Sequence, residues 1–145
     1  MAYIKFKELS KYFDFKTEVA KEDLPFYAKE YVEENEKIVF VYKNSKDYAV
    51  FTNRKMILFD RDALAIYYKK IHIIPYDSIS TSAINYKRGK VELLFSLDSG
   101  YQLHINFINM NHDKKENIKY VYKMIMKTKI WLENWWKTSV FNFIN

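Results

Sequence analysis

The stretch from Asp47 to Ile79, DYAVFTNRKMILFDRDALAIYYKKIHIIPYDSI, holds three apolar runs, each too short for a helix and each ended by turn-forming residues. Asn53 separates the first two, Asp60 to Asp62 the second pair, and Pro75 closes the third. The flanking chain keeps a period of two. Ile38, Phe40 and Tyr42 fall on one face and Val39 and Val41 on the other, the pattern of a strand buried on both sides. Further on, Val91, Leu93, Phe95 and Leu97 alternate with Glu92 and Ser96, with Leu94 as the exception. Tyr101, Leu103, Ile105 and Phe107 alternate with Gln102, His104 and Asn106. Together with segments 48–52, 56–59, 66–74 and 79–86 this makes seven predicted strands, joined by turn-like residues at 43–46, 53–54, 88–89 and 98–100. No helical period falls between any two of them. That excludes strand–helix–strand units and predicts an antiparallel β-sandwich or partly open barrel.

Helical spacing occurs only at the two flanks. Around 23–34, Phe26, Tyr27, Tyr31 and Val32 recur near 3.6 residues, with Asp23 as the expected cap and Pro25 in the first turn. After Asn111 a long run lacks both Gly and Pro. Ile118, Val121, Tyr122, Ile125, Leu132, Trp135 and Trp136 form a wide apolar stripe, predicting one amphipathic helix from a cap at Asn111 to about Trp136. Residues 1–16 alternate loosely, as in a short strand or an ordered arm. The resulting division is an N-terminal arm and short helix over 1–35, a main domain over 36–138 with the capping helix, and a tail over 139–145.

Composition narrows the chemistry. The 145 residues contain no Cys and two isolated Gly, so thiol chemistry and Gly-rich phosphate loops are excluded. The N-terminus lacks the apolar core of a signal peptide, and no apolar run reaches the length of a membrane span. The expected location is cytoplasmic, at most peripheral on the inner face of the cell membrane, and not secreted. The net charge of +6 is uneven. Residues 17–37 set three Lys against seven acids, a net −4, whereas residues 111–145 set seven Lys against three acids, a net +4. Such a balance suits an anionic partner.

Several residues in the central stretch resemble the bacterial pleckstrin-homology-like (PH-like) domain family. These are Asp47-x-x-x-Phe51-Thr52-Asn53-Arg54-Lys55-x-Ile57, then Asp60, then Ile74-Pro75-Tyr76-x-Ser78-Ile79, with Glu36 before the first strand. The resemblance covers about residues 33–130. It implies two packed sheets with a helix plugging one open end, no enzymatic activity, and, in some relatives, assembly into rings. The chain departs from the family where 82–89 read Ser-Ala-Ile-Asn-Tyr-Lys-Arg-Gly, and in its Trp-rich basic tail. A narrower resemblance, in size, charge and architecture, is to PH-like self-immunity proteins of leaderless bacteriocins.

Two sets of residues are candidates for a ligand surface. Lys115, Lys119, Lys123 and Lys127 recur every four residues, and Trp131 and Trp135 continue the spacing beside Trp136. Ammonium groups with flanking indoles suit an anionic membrane interface. The competing reading is a solvated Lys face with Trp rings closing the sandwich. Lys43, Lys46, Arg54 and Lys55 form basic turns, which also serve to blunt sheet edges. His72, His104 and His112 are scattered and Asp60/Asp62 and Glu33/Glu34 lie in a loop and at a helix end, so no metal site, cofactor or catalytic group is expected. The aromatic residues alternate toward a core rather than with the basic ones, which argues against nucleic acid.

The reading that follows is a non-catalytic binding module at the cytoplasmic membrane face, most specifically a self-immunity protein against a membrane-active bacteriocin. Its partners would be the anionic membrane surface, the peptide, or both, with self-assembly left open. The alternative is a cytosolic scaffold or oligomerising module with no membrane role.

Overall fold

The computed structural model describes residues 10–45, 47–61 and 69–127. Nine strands form two sheets among these residues. The strands β1 (Ser10–Phe15), β7 (Ile79–Lys87), β8 (Lys90–Leu97) and β9 (Gln102–Ile108) make one sheet in the order β1-β9-β8-β7. The other holds β2 (Thr17–Glu18), β3 (Ile38–Lys43), β4 (Tyr48–Thr52), β5 (Lys55–Arg61) and β6 (Lys69–Pro75), in chain order. A one-turn helix α1 (Phe26–Lys29) lies between β2 and β3, and a helix α2 over 112–127 follows β9. This is the expected PH-like sandwich with its C-terminal helix.

The seven predicted strands are β3 to β9, each antiparallel to its neighbour within a sheet. Two more precede them. β1 pairs in parallel with β9, Phe13 opposite Ile105 and Phe15 opposite Phe107, and buries both rings. The chain then crosses at Lys16, whose N–H donates to the Lys43 carbonyl at 3.0 Å, and enters the second sheet as β2. So β1, within the stretch read as a short strand or an ordered arm, is an integral edge strand. Tyr3, Lys5 and Lys7, which suggested a strand earlier still, lie outside the described residues.

The main core fills the space between the sheets, with Phe15, Tyr42, Phe51, Leu58, Tyr76, Phe95 and Phe107 among its largest members. A second apolar layer lies on the outer face of the five-stranded sheet, where Leu24 and Ala28 cover Val41, Val50, Ile57 and Phe59. The central strands are therefore buried on both faces, as the unbroken apolar run of β3 requires. The expected face assignment fails at Ile38, which packs with the outer layer while Phe40 and Tyr42 face the main core. A bulge between Ile38 and Phe40 shifts the register, and each one-residue shift reverses the face.

The helix predicted over 23–34 shrinks to Phe26–Lys29. Asp23 does not cap it; it ends a 3₁₀ turn whose Asp23 N–H donates to the Ala20 carbonyl at 2.9 Å. An isolated helix this short gains little from its own backbone. Packing of Leu24, Ala28, Tyr31 and Val32 on the sheet dictates the path instead.

Because Phe15 is fully buried and Tyr12 is 65% exposed on the same strand, truncating each separates packing from strand propensity. Phe15→Ala is expected to cost about 3–5 kcal/mol and Tyr12→Ala about 1 kcal/mol or less, read as shifts in a urea-unfolding midpoint. Equal small losses would mean that β1 is not part of the cooperative fold.

Candidate functional site

Five of the residues that carry the family resemblance, Glu36, Thr52, Asn53, Lys55 and Tyr76, converge on one corner, while Asp47 and Asp60 lie away from it. Glu36 enters β3 with its side chain only 1% exposed. Its carboxylate accepts the Thr52 hydroxyl proton and the Glu33 N–H at 3.0 Å, and lies 3.2 Å from the Lys55 ammonium. The Thr52 oxygen in turn accepts the N–H groups of Arg54, at 3.1 Å, and Lys55, at 3.0 Å, closing the β4–β5 turn. Asn53 accepts from the Lys37 N–H at 2.9 Å and returns its own N–H to the Lys37 carbonyl at 2.9 Å. The Tyr76 hydroxyl donates to the Thr52 carbonyl at 2.7 Å. Asp47 ties the β3–β4 turn, its N–H donating to Asn44 Oδ1 at 2.7 Å. Burial alone would raise the Glu36 pKa, but the hydrogen bonds from Thr52, Glu33 and Lys55, with the Lys55 charge, outweigh it and hold the carboxyl below its ordinary range. Burial and the Glu36 charge push the Tyr76 phenol up.

This corner consumes two of the predicted site residues. Lys55 neutralises Glu36, and Arg54 contributes its backbone to the turn while its side chain points to solvent. Lys43 is exposed, but at the β3–β4 turn. In an antiparallel meander consecutive turns lie at opposite ends of the shared strand, here about 17 Å apart along the five residues of β4. The basic turns are thus not one pocket. Lys46 lies outside the described residues.

The α2 lysines are placed differently. Asn111 caps the helix as expected, accepting the Lys114 N–H at 2.9 Å. Ile118, Val121 and Ile125 enter the main core, and Tyr122 meets the Ser82 hydroxyl at 2.7 Å and stacks near Phe95. Lys115 is partly buried and donates to the Lys87 carbonyl at 2.8 Å, binding the first turn of α2 to the end of β7. Lys119 is partly buried, and Lys123 and Lys127 are exposed. At about 100° per residue, the four-residue repeat carries the series from the edge of the apolar face out to solvent. Leu132, Trp131, Trp135 and Trp136 lie outside the described residues.

The Lys115 bond also brings in residues that sequence spacing did not single out. Lys87, Arg88 and Lys90 surround the β7–β8 turn, where Gly89 adopts φ +71° and its carbonyl accepts the Met110 N–H at 2.9 Å. Lys87 pairs with Glu92 at 3.8 Å and Arg88 is exposed. The Lys115 bond thus joins two basic segments that lie 28 residues apart in the chain. The only local signal was the Lys-Arg-Gly-Lys run itself.

Among the described residues no group of three or more His, Cys, Asp or Glu side chains is placed to hold a metal ion, and no helix is long and apolar enough to cross a membrane. His104 stacks on Tyr12 with centroids 4.4 Å apart. His72 lies inside the sandwich edge-on to Phe13. Its Nε2 is 3.7 Å from the Asp60 carboxylate, too long for a hydrogen bond, and that carboxylate pairs with Lys11 at 2.7 Å. Burial lowers the His72 pKa, against the opposing pull of Asp60.

The geometry defines a PH-like sandwich with a cationic helix face. Residues 9–129 match the family model described as bacterial PH domain. The chain belongs to the bacterial PH domain family. It is similar in structure to a protein with a pleckstrin-homology domain from Shewanella loihica, with a TM-score of 0.61 and 20% identity over 77% of this chain and 95% of that one. A PH-domain-containing protein from Exiguobacterium sibiricum gives a TM-score of 0.60 and 22% identity over 88% of this chain and 69% of that one. At these identities the likeness concerns the fold. No curated protein matches the chain.

Two stability measurements follow. Glu36 titrates in the folded state below its ordinary 4.5. Its contribution is therefore complete above about pH 4.5 and is lost as pH falls through the folded-state value. Glu36→Gln is expected to destabilise by about 2–4 kcal/mol at neutral pH, and the gap to wild type should shrink in urea titrations below pH 4.5. For His72 the unfolded chain takes up the proton first, so stability rises with pH up to 6.5 and then levels. His72→Gln should remove that component of the slope.

Proposed function

We propose that this protein is a non-enzymatic binding module that docks on an anionic membrane surface through α2 and the β7–β8 turn. The observation that carries this reading is the Lys115 bond to the Lys87 carbonyl, which sets the basic β7–β8 turn, with exposed Arg88, against the first turn of a helix that bears Lys119, Lys123 and Lys127. The buried face of α2 is committed to the core, so its outward face is available as a unit. At about 1 kcal/mol for each basic residue near an acidic leaflet, four give roughly 4 kcal/mol, a weak and reversible attachment of about millimolar strength. In a producing bacterium such a module at the inner membrane face would protect against a membrane-active bacteriocin, the role suggested by its size, charge and architecture.

Sedimentation with phosphatidylglycerol-containing vesicles tests the docking. The wild type should bind these more than neutral vesicles, and the triple variant K119E/K123E/K127E should lose the difference while keeping its melting temperature. Equal binding to both vesicle types would defeat the membrane reading. For the immunity role, expression in a bacteriocin-sensitive strain should raise the killing concentration; an unchanged concentration would end that reading alone.

A further inference from the structure

Tyr120 is 61% exposed and belongs to neither the core nor any ring contact among the described residues. On α2 it lies three residues before Lys123 and seven before Lys127, the spacing of one helix face. Taking Ile118 as the buried reference, Lys119, Lys123 and Lys127 fall about 100°, 140° and 180° around the axis, and Tyr120 about 200°. The phenol therefore sits on the outward arc next to the two exposed lysines, and the acids on that arc are Glu116, at about 160°, and Asp113, at about 220°. The apolar stripe explains Tyr122 but gives Tyr120 no packing role among the described residues.

We infer that Tyr120 is an interfacial anchor, and that the ligand of this face is a phospholipid surface rather than a dissolved polyanion. The inference rests on the docking reading above. Lysines alone do not tell a lipid phosphate from a free one, since both satisfy the same ammonium groups. A ring with an apolar body and a polar tip does discriminate. It gains by entering the head-group region, where its hydroxyl stays hydrated and its edge meets acyl chains. Flanking lysines on the same arc reach the phosphates at that depth, with their methylene stems lying along the boundary. The two parts also respond differently to salt. Coulombic attraction decays over about 10 Å at 0.1 M salt and about 3 Å at 1 M, whereas ring burial persists. The helix axis would then lie parallel to the membrane.

The test uses the full chain with two probes: vesicles of phosphatidylcholine with phosphatidylglycerol, and inorganic polyphosphate. At low salt Tyr120→Ala should reduce wild-type vesicle binding about fivefold, and by the same factor as salt is raised for as long as binding stays measurable, while Tyr120→Trp restores or exceeds it. K123E/K127E should instead lose the low-salt component. Polyphosphate binding should be unaffected by Tyr120→Ala. Superimposable salt curves for wild type and Tyr120→Ala would overturn the anchor, as would an equal loss on both probes. Failure of the wild type to bind anionic vesicles at low salt would defeat the docking reading itself, a separate result. Because the side chain is exposed, unchanged melting temperatures are expected for all Tyr120 variants.

Discussion

The buried carboxylate of Glu36 is the constraint on which the corner of this fold depends. An unpaired charge at that depth is expensive, so the surrounding chain has to supply donors in a fixed geometry. It does so from three separate segments: the Glu33 backbone before β3, the Thr52 hydroxyl at the end of β4, and the Lys55 ammonium at the start of β5. Thr52 is the pivot, since its single oxygen serves the carboxylate as donor and two turn amides as acceptor. Tyr76 binds the carbonyl of the same residue just before the chain turns from β6 into β7. The chain's passage from β6 to β7 is thus fastened to the residue that satisfies the Glu36 charge.

This accounts for why the family-like residues say little about a ligand. Phe51 fills the core, Asn53 exchanges bonds with Lys37, Lys55 is spent on Glu36, and the Ser78 hydroxyl donates to the Pro75 carbonyl at 2.6 Å. Each has a structural partner inside the corner. A ligand surface has to be sought where side chains are exposed and shared across elements, and α2 with the β7–β8 turn meets that condition.

Periodicity made much of this legible. The period-two runs located β3 to β9, and the core side of α2 followed from Ile118, Val121 and Ile125. What it missed had physical reasons. β1 pairs in parallel with a strand 92 residues away, which no turn announces, although Phe13 and Phe15 flanking Asp14 carried the alternation. The shift at Ile38 came from a bulge, which leaves no mark in an all-apolar run. α1 fell short because the contacts of Leu24, Ala28, Tyr31 and Val32 with the sheet, not helix propensity, set the chain's course. The basic turns looked adjacent in sequence, but a meander sends successive turns to opposite ends.

Charge placement gives the surface a direction. The exposed acids Glu22, Asp23, Glu30, Glu33 and Glu34 belong to the segment that covers the outer face of the five-stranded sheet. The exposed bases Arg88, Lys123 and Lys127 belong to α2 and the turn beside it, which are held to β7. Near an acidic surface, groups within about a Debye length dominate, so approach by the α2 side is attracted and approach by the α1 side is opposed. A uniformly basic protein of the same +6 charge would have no such preference. The asymmetry, more than the net charge, is what the proposed docking relies on, and it arises because the covering segment of the outer sheet face is where this chain concentrates its carboxylates.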